Sequence, residues 1–265
     1  MNKLLRTVFI VALSGLSWNS LAQLSVSEIA DAGLPSIVVI EGSAGTGSGV
    51  IIESSGVIAT NYHVIEGSTS LSVRLSGGDV YNDVSIVDFD SNRDIAILKI
   101  KGFDLPAVSL GNSNDVSVGE DVIVMGAPEG YEQSVTRGII SALRDMDDGY
   151  SLFQTDAAIS SGSSGGGMFD MTGSLIGITV AYIEDAQNIN FIIPINYFRG
   201  MLSTEPKFTL TEFLELEGNN TAVTLASSFE SLDELVSSFE DEFPLGFEKN
   251  EEAEVWYFTG DGYVL

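Results

Sequence analysis

From Ile37 to Ile195 the chain is a succession of short Val- and Ile-rich runs, each about 4–8 residues long, with turn residues recurring about every 8–14. Ile37–Ile40, Val50–Ile52, Val57–Thr60, Leu71–Leu75, Ile95–Ile100, Val122–Met125, Ile139–Ala142, Leu175–Ala181 and Asn190–Ile193 are such runs, separated by Gly, Asn, Asp and Ser. β-branched residues fit a pleated, buried surface, and the runs are too short for helices. No amphipathic helix alternates with them, as a parallel α/β sheet would require. The pattern predicts an all-β fold of about a dozen strands, enough for two six-stranded barrels. A boundary near Gly111–Asp115 (GNSND) divides the strands evenly, and a cleft between the halves is the natural place for a site.

The two ends differ from this middle. Lys3 and Arg6 give a positive start to an apolar stretch from about Leu4 to Leu16, and Ser20-Leu21-Ala22 supplies small residues before a cut. This reads as a secretory signal peptide over 1–22, too short to span a bilayer and so leaving no stable membrane anchor after its removal. The remaining chain is expected to be periplasmic or secreted. It has no cysteine and one histidine, which excludes a disulfide framework and the usual tetrahedral zinc site. Neither a metal nor a cofactor is expected. A formal charge of −27 leaves no basic patch for nucleic acid or anionic lipid.

Residues 201–265 carry 15 Asp and Glu against Lys207 and Lys249. Ten aromatics between Phe208 and Tyr263 are too many for a solvated acidic tail. Ser231–Glu240 reads as a capped amphipathic helix, and Glu254–Phe258 and Tyr263–Leu265 read as strands. Residues 204–265 are therefore expected to form a small α+β appendage behind a 23–203 barrel domain. The apolar Tyr263–Leu265 end reads as an edge strand, or else as a segment for docking.

The only histidine, His63, lies in ATNYHV, and a Gly/Ser-rich turn, SSGSSGGG, lies at Ser160–Gly167. A base and an exposed serine suggest nucleophilic catalysis, although Gly/Ser clusters are often plain linkers. Gly162-Ser163-Ser164-Gly165-Gly166 fits the G-x-S-x-G elbow of α/β-hydrolases, but that fold needs a histidine after the serine and none follows. A subtilisin-like order needs an aspartate before the histidine, and only Asp31 qualifies, in a chain without that fold's helices. The order His, Asp, Ser on an all-β chain remains, as in chymotrypsin-like double barrels. Asp79, Asp83, Asp88, Asp90, Asp94, Asp104, Asp115 and Asp121 all fall in the interval for the acid. Asp94 is favoured by its place at the head of the apolar run IAILKI, and a surface turn is the alternative.

Seven segments then stand in a familiar order: GSGVII (Gly47–Ile52), ATNYHVIEG (Ala59–Gly67), RDIAILKI (Arg93–Ile100), VGEDVIVMGAPEG (Val118–Gly130), SVTRGIISA (Ser134–Ala142), QTDAAISSGSSGGGMFD (Gln154–Asp170) and NFIIP (Asn190–Pro194). Over about Ile29–Arg199 the chain resembles the HtrA/Deg serine proteases. The resemblance implies a chymotrypsin-like double six-stranded β-barrel, with His63 as general base, Asp94 as its orienter and Ser164 as nucleophile. It implies an oxyanion hole from the backbone N–H groups of Gly162 and Ser164, with Ser163 between them. It also implies a primary pocket from Ile178, Thr179, Val180, Asn190, Phe191 and Ile192, suited to small or medium aliphatic residues. The expected activity is a cell-envelope serine endopeptidase acting on unfolded or exposed peptide segments. The alternative is a non-catalytic peptide-binding or chaperone-like module on the same fold.

The chain departs from the family in three places. The turn reads SSGSSGGG where the family usually has N-P-G-N-S-G-G-P, and losing Pro and Asn should loosen it at Ser160, Ser161 and Gly167. Glu41–Thr46 leaves no room for a long regulatory loop, and the residues after Thr204 are too few for a PDZ domain. PDZ-gated activation is not carried over, and a homo-oligomer such as a trimer is compatible with the resemblance without following from it.

Overall fold

The structure, a computed structural model, describes residues 24–127, 133–146, 148–160, 162–182, 189–203, 205–218, 247–250 and 255–258. The expected signal peptide, the helix at Ser231–Glu240 and the strand at Tyr263–Leu265 lie outside the described residues. Among the described residues no helix is long and apolar enough to cross a membrane.

A short helix, α1 (Val26–Gly33), opens the described chain with a capping box. Glu28 N–H donates to Ser25 Oγ at 3.2 Å, while Glu28 Oε2 accepts from Ser25 N–H at 2.8 Å. Thirteen strands follow: β1 (Ile37–Gly42), β2 (Thr46–Glu53), β3 (Val57–Thr60), β4 (Leu71–Arg74), β5 (Val80–Tyr81), β6 (Val84–Asp90), β7 (Ile95–Ile100), β8 (Asp121–Gly126), β9 (Ser134–Asp145), β10 (Ser151–Thr155), β11 (Gly167–Phe169), β12 (Leu175–Tyr182) and β13 (Asn190–Pro194). Helix α2 (Asn196–Arg199) follows β13, and α3 spans 210–218. A separate hairpin pairs β14 (Phe247–Asn250) with β15 (Val255–Phe258).

β8 to β13 form a closed six-stranded barrel, ordered β10-β13-β12-β11-β8-β9. β1 to β7 form a curled seven-stranded sheet, ordered β5-β4-β1-β2-β3-β7-β6. Together they make the chymotrypsin-like double barrel, its first half a curled sheet of seven strands rather than a closed ring of six. Phe208 forms an antiparallel bridge with Ile86, exchanging hydrogen bonds of 2.9 and 3.0 Å, so the edge of β6 is met by the C-terminal segment. The expected division at 111–115 falls in the connection between β7 and β8.

The apolar runs are continuous because both faces of many strands are buried, so the two-residue period sends neighbours to different cores. Ile37, Val39, Val50, Val57, Ala59, Ile95 and Ile97 enter a core shared with Ile123, Met125, Phe169, Ile178 and Ile193 of the barrel. Val38, Ile40, Ile51, Ile58, Ala96 and Leu98 point the other way, into the curled sheet. Val122 and Val124 of β8 likewise fill the barrel, while Ile123 faces the shared core. The shared core is what joins the two halves.

Helix α3 covers the second of these cores. Thr209 and Glu212 form its capping box, with Thr209 N–H donating to Glu212 Oε2 at 2.8 Å. Phe213 is fully buried and meets Phe89 and Tyr62 edge to face, at 5.0 and 6.0 Å between ring centroids. Phe213→Ala is expected to lower unfolding free energy by about 3–5 kcal/mol, through lost burial and the cavity left behind. Chemical denaturation of the two proteins checks this; a loss below about 1 kcal/mol would show that α3 does not seal the sheet.

Candidate functional site

His63 stands on a tight turn after β3. Ile65 N–H and Glu66 N–H both donate to Tyr62 O, at 2.9 and 3.0 Å, and the buried Val64 and Ile65 anchor the turn. The imidazole is left 42% exposed. Behind it Tyr62 stacks on Phe89 at 5.7 Å, and its hydroxyl donates to Glu217 Oε1 of α3 at 2.7 Å. Burial, then that hydrogen bond, pushes the Tyr62 phenol far above its ordinary pKa. Gly67 N–H also reaches Glu217, through Oε2 at 3.3 Å, so α3 braces this turn from behind.

Asp94 sits between β6 and β7 with φ 57°, a left-handed angle that aspartate tolerates better than most residues. Both carboxylate oxygens bind His63: Oδ1 accepts from its backbone N–H at 2.9 Å, and Oδ2 pairs with Nδ1 at 2.7 Å. Asn61 Nδ2 donates to the Asp94 carbonyl at 3.2 Å. Several other candidate acids hold cations instead: Asp83 pairs with Lys101, Asp88 with Lys207, Asp90 with Arg93 and Asp121 with Arg137. Arg93 also lies over the Tyr197 ring at 5.5 Å, tying the Asp94 turn to the barrel.

The Gly/Ser turn precedes β11 and is held by hydrogen bonds from both halves. Ser163 N–H donates to Ser160 O, Gly165 N–H to Thr179 O and Gly166 N–H to Ser163 O, at 3.0, 2.9 and 2.9 Å. Among the described residues, the N–H groups of Gly162 and Ser164 make no hydrogen bond to the protein. Gly162 has φ 82° and Gly165 φ 85°, angles that favour glycine. From the curled sheet, Ser48 N–H donates to Ser164 O at 2.7 Å and Ser48 Oγ to Gly162 O at 2.8 Å. The Ser164 hydroxyl donates to the carbonyl of Val180 on β12. A Cβ on Gly47 would lie 2.7 Å from Val64 and 3.2 Å from the Ser164 carbonyl, so the His63 turn and the serine turn meet across that glycine.

The expected pocket residues are divided. Ile178, Thr179 and Ile192 are fully buried, Ile178 in the shared core and Ile192 inside the barrel. The Thr179 hydroxyl holds the turn by donating to Ser163 O, and the Asn190 amide donates to Ala157 O at 2.7 Å. Val180 and Phe191 are partly exposed. These six residues do not line one wall, because adjacent strand positions point to opposite faces. Gly167 is also not part of a loose loop: it is the first residue of β11, buried and paired with Ile178 and Met125. Two contributors did not stand out from sequence. Ser48 carries a visible signal only as the serine of G-S-G, and Glu217 carries none.

Residues 47–178 match the trypsin-like peptidase domain family. Over 156 residues the chain is 44% identical to a "Probable periplasmic serine endoprotease DegP-like" of Pseudomonas savastanoi pv. phaseolicola, covering 57% of this chain and 32% of that protein. It is 35% identical over 182 residues to "Protease Do-like 1, chloroplastic" of Arabidopsis thaliana, covering 64% and 41%. Among solved structures it is similar to HtrA-type protease AlgW with a tripeptide, at TM-score 0.62 and 34% identity over 65% of this chain and 60% of that one. A serine endoprotease from Yersinia pestis gives TM-score 0.61 at 32% identity, over 68% and 65%. The chain thus spans between 32% and 41% of the length of these two curated relatives. The family match runs from β2 into β12, across both halves of the molecule, and the double barrel is similar in sequence and fold to serine proteases of the HtrA/Deg type.

Proposed function

We propose that the chain is a serine endopeptidase that cleaves unfolded or exposed protein segments by acyl transfer from Ser164. The observation that carries this reading is the pair of N–H groups on Gly162 and Ser164, both without a hydrogen-bond partner among the described residues, on a turn that meets the turn of the Asp94-bound His63 across Gly47. Two such donors are what a developing oxyanion needs. A name containing "periplasmic" on a relative, together with the signal-like start of this chain, supports an envelope location.

Each step assigns work to one group. Asp94 Oδ2 holds the proton on His63 Nδ1, leaving Nε2 as the acceptor. The Ser164 hydroxyl turns from Val180 O toward Nε2, and its oxygen attacks the peptide carbonyl as Nε2 takes the proton. The carbonyl oxygen gains negative charge against the two N–H groups. The imidazolium then gives its proton to the leaving amine, and an acyl-enzyme remains on Ser164. Water, deprotonated by His63, repeats the cycle and releases the acid. A peptide strand laid beside β12 would compete for Val180 O, which ties release of the hydroxyl to substrate binding.

That bond to Val180 O also suits the second reading, a non-catalytic peptide-binding or chaperone-like module. A fluorophosphonate serine probe on the folded chain separates the two, with Ser164→Ala as the control. Wild type is expected to be labelled on Ser164 and the variant not at all. Equal labelling of the two would end the peptidase reading.

A further inference from the structure

We propose that Ser48 is a positioning residue for the oxyanion donors, an inference that rests on the peptidase reading. Ser48 is fully buried on β2, in the half of the molecule that does not contain the nucleophile turn. Its polar groups nevertheless serve that turn. The N–H donates to Ser164 O at 2.7 Å, and the hydroxyl donates to Gly162 O at 2.8 Å. The hydroxyl oxygen also accepts from Ala127 N–H at 2.9 Å, and the Ser48 carbonyl accepts from Thr60 Oγ1 at 2.7 Å.

The two carbonyls that Ser48 takes belong to Gly162 and Ser164, the same two residues whose N–H groups have no hydrogen-bond partner among the described residues. Fixing the carbonyl of a residue fixes its ψ angle, and with φ already set the outlook of its N–H follows. One residue therefore orients the donor pair from behind, its hydroxyl acting on Gly162 and its backbone N–H on Ser164, without touching substrate. The hydroxyl is also satisfied as both donor and acceptor, forming a relay from Ala127 N–H through Ser48 Oγ to Gly162 O. Here the turn has no proline to stiffen it, and this relay between the two halves supplies the rigidity.

Ser48→Ala removes the hydroxyl and keeps the backbone bond to Ser164. Loss of a single oxyanion donor typically reduces turnover about 10²–10³-fold, and misorientation of the pair should fall at or below that range. We expect kcat to drop about 10–100-fold with KM changed by less than about threefold. Affinity for a peptide boronate, which places an oxygen in the oxyanion site, should fall in parallel. Ser48→Cys, similar in size but a weaker donor, should lie between the two and serves if the alanine variant folds poorly. Rates are referred to folded protein measured by circular dichroism. Wild-type kcat and boronate affinity per folded molecule in both variants would overturn the role of Ser48 and leave the peptidase reading intact. An unlabelled wild type would overturn both.

Discussion

Asp94→Asn is expected to lower kcat about 10⁴-fold, and His63→Ala about 10⁶-fold, in proteins that remain folded. The first figure follows from the hydrogen-bond pattern. Oδ1 accepts from the backbone N–H of His63, a donor that cannot reverse, and Oδ2 faces Nδ1. An asparagine has one acceptor and one donor to place in these positions. Its oxygen must remain on the backbone N–H, so its NH₂ faces Nδ1 and requires that nitrogen to be an acceptor. The imidazole proton then sits on Nε2, which can no longer take the proton of Ser164. Asparagine tolerates the left-handed backbone at this position about as well as aspartate, so φ 57° adds little cost and the variant isolates the tautomer. Steady-state hydrolysis of a chromogenic peptide, with melting temperature as the control, measures it. A folded Asp94→Asn protein with a tenth or more of wild-type kcat would remove Asp94 from the mechanism.

The parts of the fold that were legible in sequence are those whose causes are local. Val57–Thr60 and Ile95–Ile100 stand at the positions expected, because runs buried on both faces announce themselves without any period. β6 (Val84–Asp90) was hidden by Asp88 and Asp90 and by a register shift at 86/88, and β11 (Gly167–Phe169) by the glycines before it. α1 carried its signal in Ser25-x-x-Glu28, which the strand-dominated pattern overshadowed. The bridge at the edge of β6 was not legible, since it joins Ile86 to Phe208 from far along the chain. At the site, chain order and motif pointed to the His63–Asp94 contact. Ser48, Thr179 and Glu217 act through which carbonyl or hydroxyl they meet in space, and neither composition nor spacing encodes that.

Gly165→Ala should abolish probe labelling and destabilise the domain together, whereas a glycine of similar backbone but open surroundings should tolerate the change. A Cβ at position 165 would lie 1.9 Å from Ser48 O and 2.4 Å from Thr60 Oγ1, where the Thr60–Ser48 hydrogen bond of 2.7 Å already occupies the space. The nearest obstacle is backbone and cannot rotate away. With φ 85°, left-handed strain adds about 1–2 kcal/mol to an overpacking cost of about 1–3 kcal/mol. The turn can relieve the clash only by withdrawing from β2, which breaks the hold of Ser48 on Gly162 and Ser164. Gly78, with φ 93° and nothing within 4 Å, supplies the control: Gly78→Ala should show the strain alone and keep full labelling. Urea unfolding and probe labelling of both variants make the comparison. If Gly165→Ala were as stable and as reactive as Gly78→Ala, β2 and the serine turn would not be in contact in solution, and the positioning role of Ser48 would fall with that contact.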